Sequence, residues 1–196
     1  MKDDLIKSLP VRRGHFLLES GYHTDLWFTL DALFLTPHEI APQVARLAEM
    51  LEPYSITAVC GPLLGGAFLA HAVAIQMGIR FYFSEPASVT NEGLFAAEYR
   101  LPPELRRRIR GERIAILDDM ISAGSSVRAT ASELAAAGAT TVAVGTIVLL
   151  GDPATEYFSA RGIPLVALHR DEFNLWPPAE CELCRLGAPL ENPRSS

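Results

Sequence analysis

The residues best equipped for chemistry fall in one stretch, Arg113 to Arg128, which reads RIAILDDMISAGSSVR. Two adjacent carboxylates, Asp118 and Asp119, follow the apolar run Ile114 to Leu117. Ser122, Ala123, Gly124, Ser125 and Ser126 come next, and a helical pattern runs from Val127 to Ala137 before Gly138. The apolar run suits a strand buried on both faces of a parallel sheet, ended by the two acids. A turn of small residues entering a helix offers unpaired backbone N–H groups and the positive end of the helix dipole to an anion. The serine hydroxyls add donors. Carboxylates repel a phosphate, so Asp118 and Asp119 are expected to accept hydrogen bonds from sugar hydroxyls or to face a magnesium shell. The stretch therefore reads as a site for a phosphorylated sugar. The competing reading is a strand followed by an ordinary helix cap, since Asp and Ser both cap helices. Capping alone does not explain two adjacent acids at the end of a core strand.

A second loop has the composition of an anion cradle. Ile56 to Cys60 reads as a first core strand, and it is followed by Gly61, Pro62, Leu63, Leu64, Gly65 and Gly66, then by an apolar helical run from Ala67 to Met77 with Gly78 as its stop. Three glycines let backbone approach a pyrophosphate closely. The loop has neither the Gly-Lys-Ser/Thr of a P-loop nor the glycine spacing of a dinucleotide fingerprint, and a tight strand-to-helix turn is the alternative.

Strands must place these loops side by side. Ile79 to Phe83, Thr141 to Leu150 and Ile163 to Leu168 read as further core strands, with a short helix over Pro153 to Ala160. Strands alternating with helices indicate an α/β, doubly wound, mainly parallel sheet with right-handed crossovers. Ligands in such sheets bind beyond the carboxyl ends of the strands, so both loops should open on one cleft. A first helix starts at Thr36–Pro37 and carries Val44, Leu47, Ala48 and Leu51 on one face. The organisation expected is an N-terminal hood segment with that helix (1–50), a core (51–170) and a C-terminal hood extension (171–196). Between Ser84 and Glu112 the pattern decays, as in a lid or disordered segment.

Composition narrows the classes. The chain has 196 residues, 49% of them hydrophobic, and a formal net charge of −6. That length suits one sizeable domain with a small appendage, and the acidic balance argues against nucleic-acid or membrane-surface partners. No apolar run approaches the ~18 residues of a membrane span, and the first ten residues lack an apolar signal segment, so the cytoplasm is the expected compartment. Lys2 and Lys7 are the only lysines, so any cation needed beyond the first turn must be an arginine. Cys181 and Cys184 form a lone C-x2-C with no suitably spaced histidine nearby in the chain. No protein-held metal is expected, because a structural zinc needs four ligands and would mainly require sharing between subunits.

The stretch Ile116 to Ser126 resembles the phosphoribosyl pyrophosphate motif of the type I phosphoribosyltransferases, and Gly61 to Gly66 is similar to the pyrophosphate loop of that family. The N-terminal segment, with Gly14, His15, Phe16, Ser20, Gly21, His23 and Asp25, resembles the hood of orotate phosphoribosyltransferases, although a generic hairpin alternates in the same way. The tail from Asn174 to Pro193, with its Pro-x-x-Cys-x-x-Cys-x-x-Gly-x-Pro pattern, resembles one branch of the same enzymes. Phe173, just before that tail, and Trp176 within it are expected to close the hood or a subunit interface, or simply to pack.

The resemblance implies a glycosyltransferase moving ribose 5-phosphate from phosphoribosyl pyrophosphate, carried with Mg2+, to a base, with orotate leading. It implies Asp118 and Asp119 on the ribose hydroxyls, Ser122 to Ser126 on the 5′-phosphate and Gly61 to Gly66 on the pyrophosphate. It also implies a non-proline cis peptide near Leu63, a flexible lid over 84–112 and a homodimer. The orotate enzymes carry lysines and a histidine in the lid, whereas 84–112 here contains neither. Arg100 is the lid cation expected to neutralise the leaving group, and Arg106 to Arg108 read equally well as a solvated face. A purine or another pyrimidine as the base, or a non-catalytic sensor of the same ligand, stay open.

Overall fold

The computed structural model describes residues 11–87, 94–171 and 173–193. The tip of the expected lid (88–93) and both lysines lie outside the described residues. Six strands form the main sheet: β3 (Ala58–Pro62), β4 (Arg80–Pro86), β5 (Tyr99–Arg100), β6 (Arg113–Ile121), β7 (Thr140–Leu150) and β8 (Leu165–Asp171). Their spatial order is β5-β4-β3-β6-β7-β8. All neighbours run parallel except β5, which returns antiparallel on β4 with Glu85 opposite Arg100. A smaller antiparallel sheet, β1-β2-β9, is built from β1 (Val11–Leu17), β2 (His23–Phe28) and β9 (Leu175–Trp176), so the two ends of the chain make the hood together.

The apolar run of β6 shows why the sheet is covered on both sides. Its side chains alternate, and Ala115 and Leu117 enter one core layer with Leu47, Leu51, Leu69 and Val73. Ile114 and Ile116 enter the opposite layer with Val127, Leu134, Val144 and Phe158. The first layer is roofed by α1 (Pro37–Leu51) and α2 (Gly65–Met77). The second is roofed by α4 (Ser125–Ala136) and α5 (Pro153–Ser159), which follow a short α3 (Pro103–Arg108).

The winding changes direction between β3 and β6. From β3 the chain passes through α2 to β4 on one side, and from β6 through α4 to β7 on the other. The loops leaving β3 and β6 therefore diverge and leave a crevice between them, the ligand position of open α/β sheets.

Two of the boundaries that differ from expectation bear on the cleft. β3 continues to Pro62, and β6 does not stop at the acids but runs on to Ile121. The long β7 supplies the ladder, with Asp118 opposite Thr146 and Ile121 opposite Leu149, so the carboxylates are strand residues rather than the start of a loop. Among the described residues no helix is long and apolar enough to cross a membrane.

Candidate active site

The carboxyl ends of β3 and β6 border a cavity of ≈ 300 Å³. Asp118 and Asp119 enter it from β6, Ser122, Gly124, Ser125 and Ser126 from the turn into α4, and Pro62, Leu63, Leu64 and Gly65 from the turn into α2. The two candidate loops thus open on one cleft, with the N-termini of two helices of 12 and 13 residues directed at it. Of the remaining candidates, Ala123 is fully buried beneath the turn. Gly61 and Gly66 lie behind the cleft as contact points between strand and helix. The Leu63–Leu64 peptide bond is cis.

Contact distances show how closely the loops are fitted. A Cβ placed on Gly65 would lie 2.1 Å from Oδ2 of Asp119, and one on Gly66 would lie 2.6 Å from Oδ1 of Asp118. A Cβ on Gly61 would lie 2.1 Å from the carbonyl oxygen of Gly66. At Gly61 an added Cβ would meet fixed backbone, whereas at Gly65 and Gly66 it would push on the carboxylates of Asp119 and Asp118, so the β3–α2 turn sits directly against the acids. Gly124, with φ of +82°, turns the chain into α4 in a conformation that other residues rarely adopt.

Asp118 is 8% exposed. Its Oδ2 accepts a hydrogen bond from Ser126 Oγ at 2.7 Å, and its Oδ1 accepts one from the Asp119 N–H at 3.1 Å. Burial first, and the neighbouring Asp119 carboxylate second, push Asp118 well above the usual carboxylate range, while the Ser126 hydroxyl pulls in the opposite direction. Asp119 Oδ1 accepts the Met120 N–H at 2.9 Å. The single hydroxyl proton of Ser126 is committed to Asp118, so Ser126 orients an acid and is not a free donor to a phosphate. Ser125 lines the cleft, and its Oγ is buried with no hydrogen-bond partner among the described residues, which leaves a hydroxyl donor uncommitted.

Arg100 is not where the sequence reading placed it. Successive side chains of β5 point to opposite faces, and Tyr99 takes the cleft side, with its hydroxyl donating to Glu19 at 3.0 Å. Arg100 takes the other side and pairs with Glu98 at 2.9 Å and with the buried Glu133 of α4 at 3.4 Å. Arg106 also pairs with Glu133, and Arg107 pairs with Glu104. Arg128 lies over the rings of Phe95 and Tyr157 and donates to the Pro153 carbonyl. Among the described residues no lysine or arginine lines the cleft, whereas Glu19, Asp118 and Asp119 do. Positive potential in the cleft therefore comes from helix N-termini and from whatever cation the ligand brings.

The hood supplies walls that sequence reasoning assigned only in part. Trp27 and Phe28 of β2 and Phe173 before β9 form an apolar side of the cleft. Phe173 both lines the cleft and packs against the first core layer. Trp176 instead pairs with His23 in the β2–β9 ladder.

The histidines of the hood, His15 and His23, are buried. His15 and His23 lie with their ring centroids 5.0 Å apart, next to Cys181 and Cys184 of the tail, so the cysteine pair has two histidine neighbours that are distant in sequence. The Ser20–Gly21 turn contains the signal that could have found this. It sets Leu17 opposite His23, which makes His15 the diagonal neighbour of His23 on the same face of the hairpin.

Known proteins place this architecture. The model of the phosphoribosyl transferase domain family matches residues 35–169. A protein named orotate phosphoribosyltransferase from Caldanaerobacter subterraneus subsp. tengcongensis is 31% identical over 94% of this chain and 90% of its own length. One of the same name from Thermotoga maritima is 29% identical over 100% of this chain and 97% of its own. The crystal structure of orotate phosphoribosyltransferase from Aeropyrum pernix covers 90% of this chain and 92% of its own at a TM-score of 0.61 and 21% identity, a likeness of fold. With the family match spanning both loops of the cleft and the strands that carry them, the chain belongs to the phosphoribosyltransferase family.

Proposed function

We propose that the chain is an orotate phosphoribosyltransferase, forming orotidine 5′-phosphate and pyrophosphate from orotate and phosphoribosyl pyrophosphate. The observation that carries the reading is the fit of Gly65 and Gly66 against Asp119 and Asp118. A ribose beside the acids would then present its anomeric carbon, with the pyrophosphate it carries, to the first loop. Relatives that bear the orotate name over almost the whole chain support the choice of base.

In this reading a ring nitrogen of the base forms a bond to the anomeric carbon as the bond to the pyrophosphate oxygen breaks. The nitrogen's proton is lost to solvent, and positive charge builds on the sugar. Asp118 and Asp119 hold the ribose hydroxyls and, in their ionised forms, favour that charge. Ser125 Oγ and the first N–H groups of α4 hold the 5′-phosphate. The N-terminus of α2 receives the pyrophosphate. Trp27, Phe28 and Phe173 form an apolar slot for a planar base and keep water from the sugar. The Mg2+ arrives with the pyrophosphate as part of the substrate. A cleft lined by carboxylates and hydroxyls, with no cationic side chain among the described residues, suits a hard divalent ion.

The 84–112 stretch, which puts Tyr99 in the cleft wall, is proposed as the lid. A homodimer would cover Phe68 and Ile75, which are 48% and 70% exposed on α2. A cytoplasmic location goes with this metabolic role.

Pyrophosphate release from Mg2+–phosphoribosyl pyrophosphate, measured across a panel of bases, tests the reading. Release with orotate and not with adenine, guanine or uracil is expected, and release with a purine alone would overturn it. The cation-free cleft also favours a second reading, a sensor of the same ligand. Tight binding of Mg2+–phosphoribosyl pyrophosphate without release for any base would select that one.

A further inference from the structure

We propose that His15, His23, Cys181 and Cys184 bind one structural Zn2+ that staples the two ends of the chain together within the hood. The four candidate ligand atoms lie within 4.8 Å of one another. His15 Nε2 and His23 Nδ1 are 3.1 Å apart. The Cys181 and Cys184 sulfurs lie 3.4 and 3.7 Å from His15 Nε2, and Cys184 Sγ lies 3.2 Å from His23 Nδ1. A tetrahedral zinc with Zn–N near 2.05 Å and Zn–S near 2.3 Å spaces its ligands by about 3.3 Å between nitrogens, about 3.6 Å between nitrogen and sulfur and about 3.8 Å between sulfurs. The nitrogen–nitrogen separation and the three nitrogen–sulfur separations are within about 0.4 Å of those dimensions, and the whole set lies within 4.8 Å.

Hydrogen bonding alone does not account for the convergence. His15 Nδ1 lies 2.9 Å from the Ala188 carbonyl, which can only accept, so the proton of the neutral ring is on Nδ1 and Nε2 presents one lone pair. Three polar atoms crowd that lone pair. One lone pair accepts one good hydrogen bond and leaves the other close neighbours without one from it, whereas a cation at the common centre takes one lone pair from each group. The Nδ1–carbonyl bond is also the outer-shell contact that orients a metal-bound histidine and fixes its tautomer. Two nitrogens and two thiolates in a closed set of four suit Zn2+ in a structural role, with no position left for a substrate.

The site would hold the tail where it already clasps the hood. β9 pairs with β2 through His23 and Trp176. Glu191 exchanges backbone hydrogen bonds with both sides of Phe16, donating to the His15 carbonyl and accepting from the Leu17 N–H, each at 2.8 Å. None of the four ligands lines the catalytic cleft, so the inference stands whichever base the enzyme takes.

The test uses the full chain, purified without a histidine tag or chelator, reduced, and dialysed against Zn2+ and then buffer. Elemental analysis is expected to find about one zinc per chain. Exchange with Co2+ should give strong tetrahedral d–d bands and a thiolate-to-cobalt charge-transfer band, and should quench the two tryptophans, both of which lie in the hood. Cys184→Ser, at an exposed position, should lower the zinc content by more than about tenfold and abolish the charge-transfer band. Its melting temperature should also fall. Should that variant fail to fold, the cobalt spectrum of the unaltered chain decides. Absence of bound zinc, a Cys181–Cys184 disulfide that persists under reduction, another metal at one per chain, or a cobalt spectrum without the thiolate band would each overturn the proposal.

Discussion

Adding one methyl group to Gly65 should disable the enzyme while leaving the protein folded. The new Cβ would sit 2.1 Å from Oδ2 and 2.5 Å from Cγ of Asp119, against an ordinary contact of 3.4 Å or more. The carboxylate must therefore retreat by more than about 1 Å, a displacement that typically costs ~100-fold when it misplaces a reacting group. The cost to folding is much smaller. An off-rotamer side chain costs ~1 kcal/mol and one weakened hydrogen bond about 1 kcal/mol. Replacing glycine by alanine within a helix returns up to ~1 kcal/mol. The net of about 1 kcal/mol moves the melting temperature of a domain this size by roughly 2–4 °C. Gly61→Ala is the control. Its Cβ would meet the Gly66 carbonyl oxygen at 2.1 Å and carbon at 2.3 Å, so β3 and the start of α2 must separate, and the variant should unfold or melt far lower. Pyrophosphate release gives kcat/KM for both variants, and thermal melts give stability. Full kcat/KM in a folded Gly65→Ala protein would refute the argument that Asp119, held against the glycine turn, is part of the machinery.

Three further outcomes follow from the same geometry. Asp118→Asn should lower kcat/KM by ~100-fold or more yet hold or raise the melting temperature at neutral pH, because it removes a buried charge beside Asp119. Since the folded-state pKa of Asp118 is raised, the native form binds more protons than the unfolded chain above the ordinary carboxylate range, and stability falls as pH rises. The gap between variant and parent melts should close as the pH is lowered toward about 4. Ser126→Ala removes the hydrogen bond that favours ionised Asp118, so the acid limb of the pH–rate profile should move to higher pH, with a loss of roughly tenfold in kcat/KM. Arg100→Ala should leave kcat/KM within about threefold and cost at most ~1 kcal/mol in a denaturant melt, because its guanidinium is exposed and Glu133 keeps Arg106. A large catalytic loss there would restore the role expected from the sequence.

What could be read from the chain and what could not divide according to the range of the contact. The apolar run, two acids, small turn and helix start of Arg113 to Ser126 lie within one supersecondary unit, so their order in sequence is their order in space. The same holds for Gly61 to Gly66. The two loops could be assigned to one cleft without coordinates because parallel connections leave few places for the carboxyl ends of strands to go. The end of β6 was misjudged because polar residues usually mark a strand end, and here an eleven-residue neighbour, β7, keeps the ladder running through both acids. Arg100 was misjudged because β5 is two residues long, too short for its alternation to show which side chain faces the cleft.

The cysteine pair was weighed only against histidines close in the chain. Its complement stands more than 150 residues earlier, brought into reach by β9 pairing with β2 and by the bridge of Phe16 to Glu191. A half-site at one terminus says nothing of its other half until the fold has joined the termini. The converse is informative: where both ends of a chain supply strands to one small sheet, ligand pairs at opposite ends should be weighed as one set. The hood has a stronger need for such a staple than the core does. β9 has two residues and makes two pairs to β2, too little by itself to hold a C-terminal tail against its conformational entropy. A cross-link closing more than 150 residues removes entropy from the unfolded chain that the short ladder cannot offset.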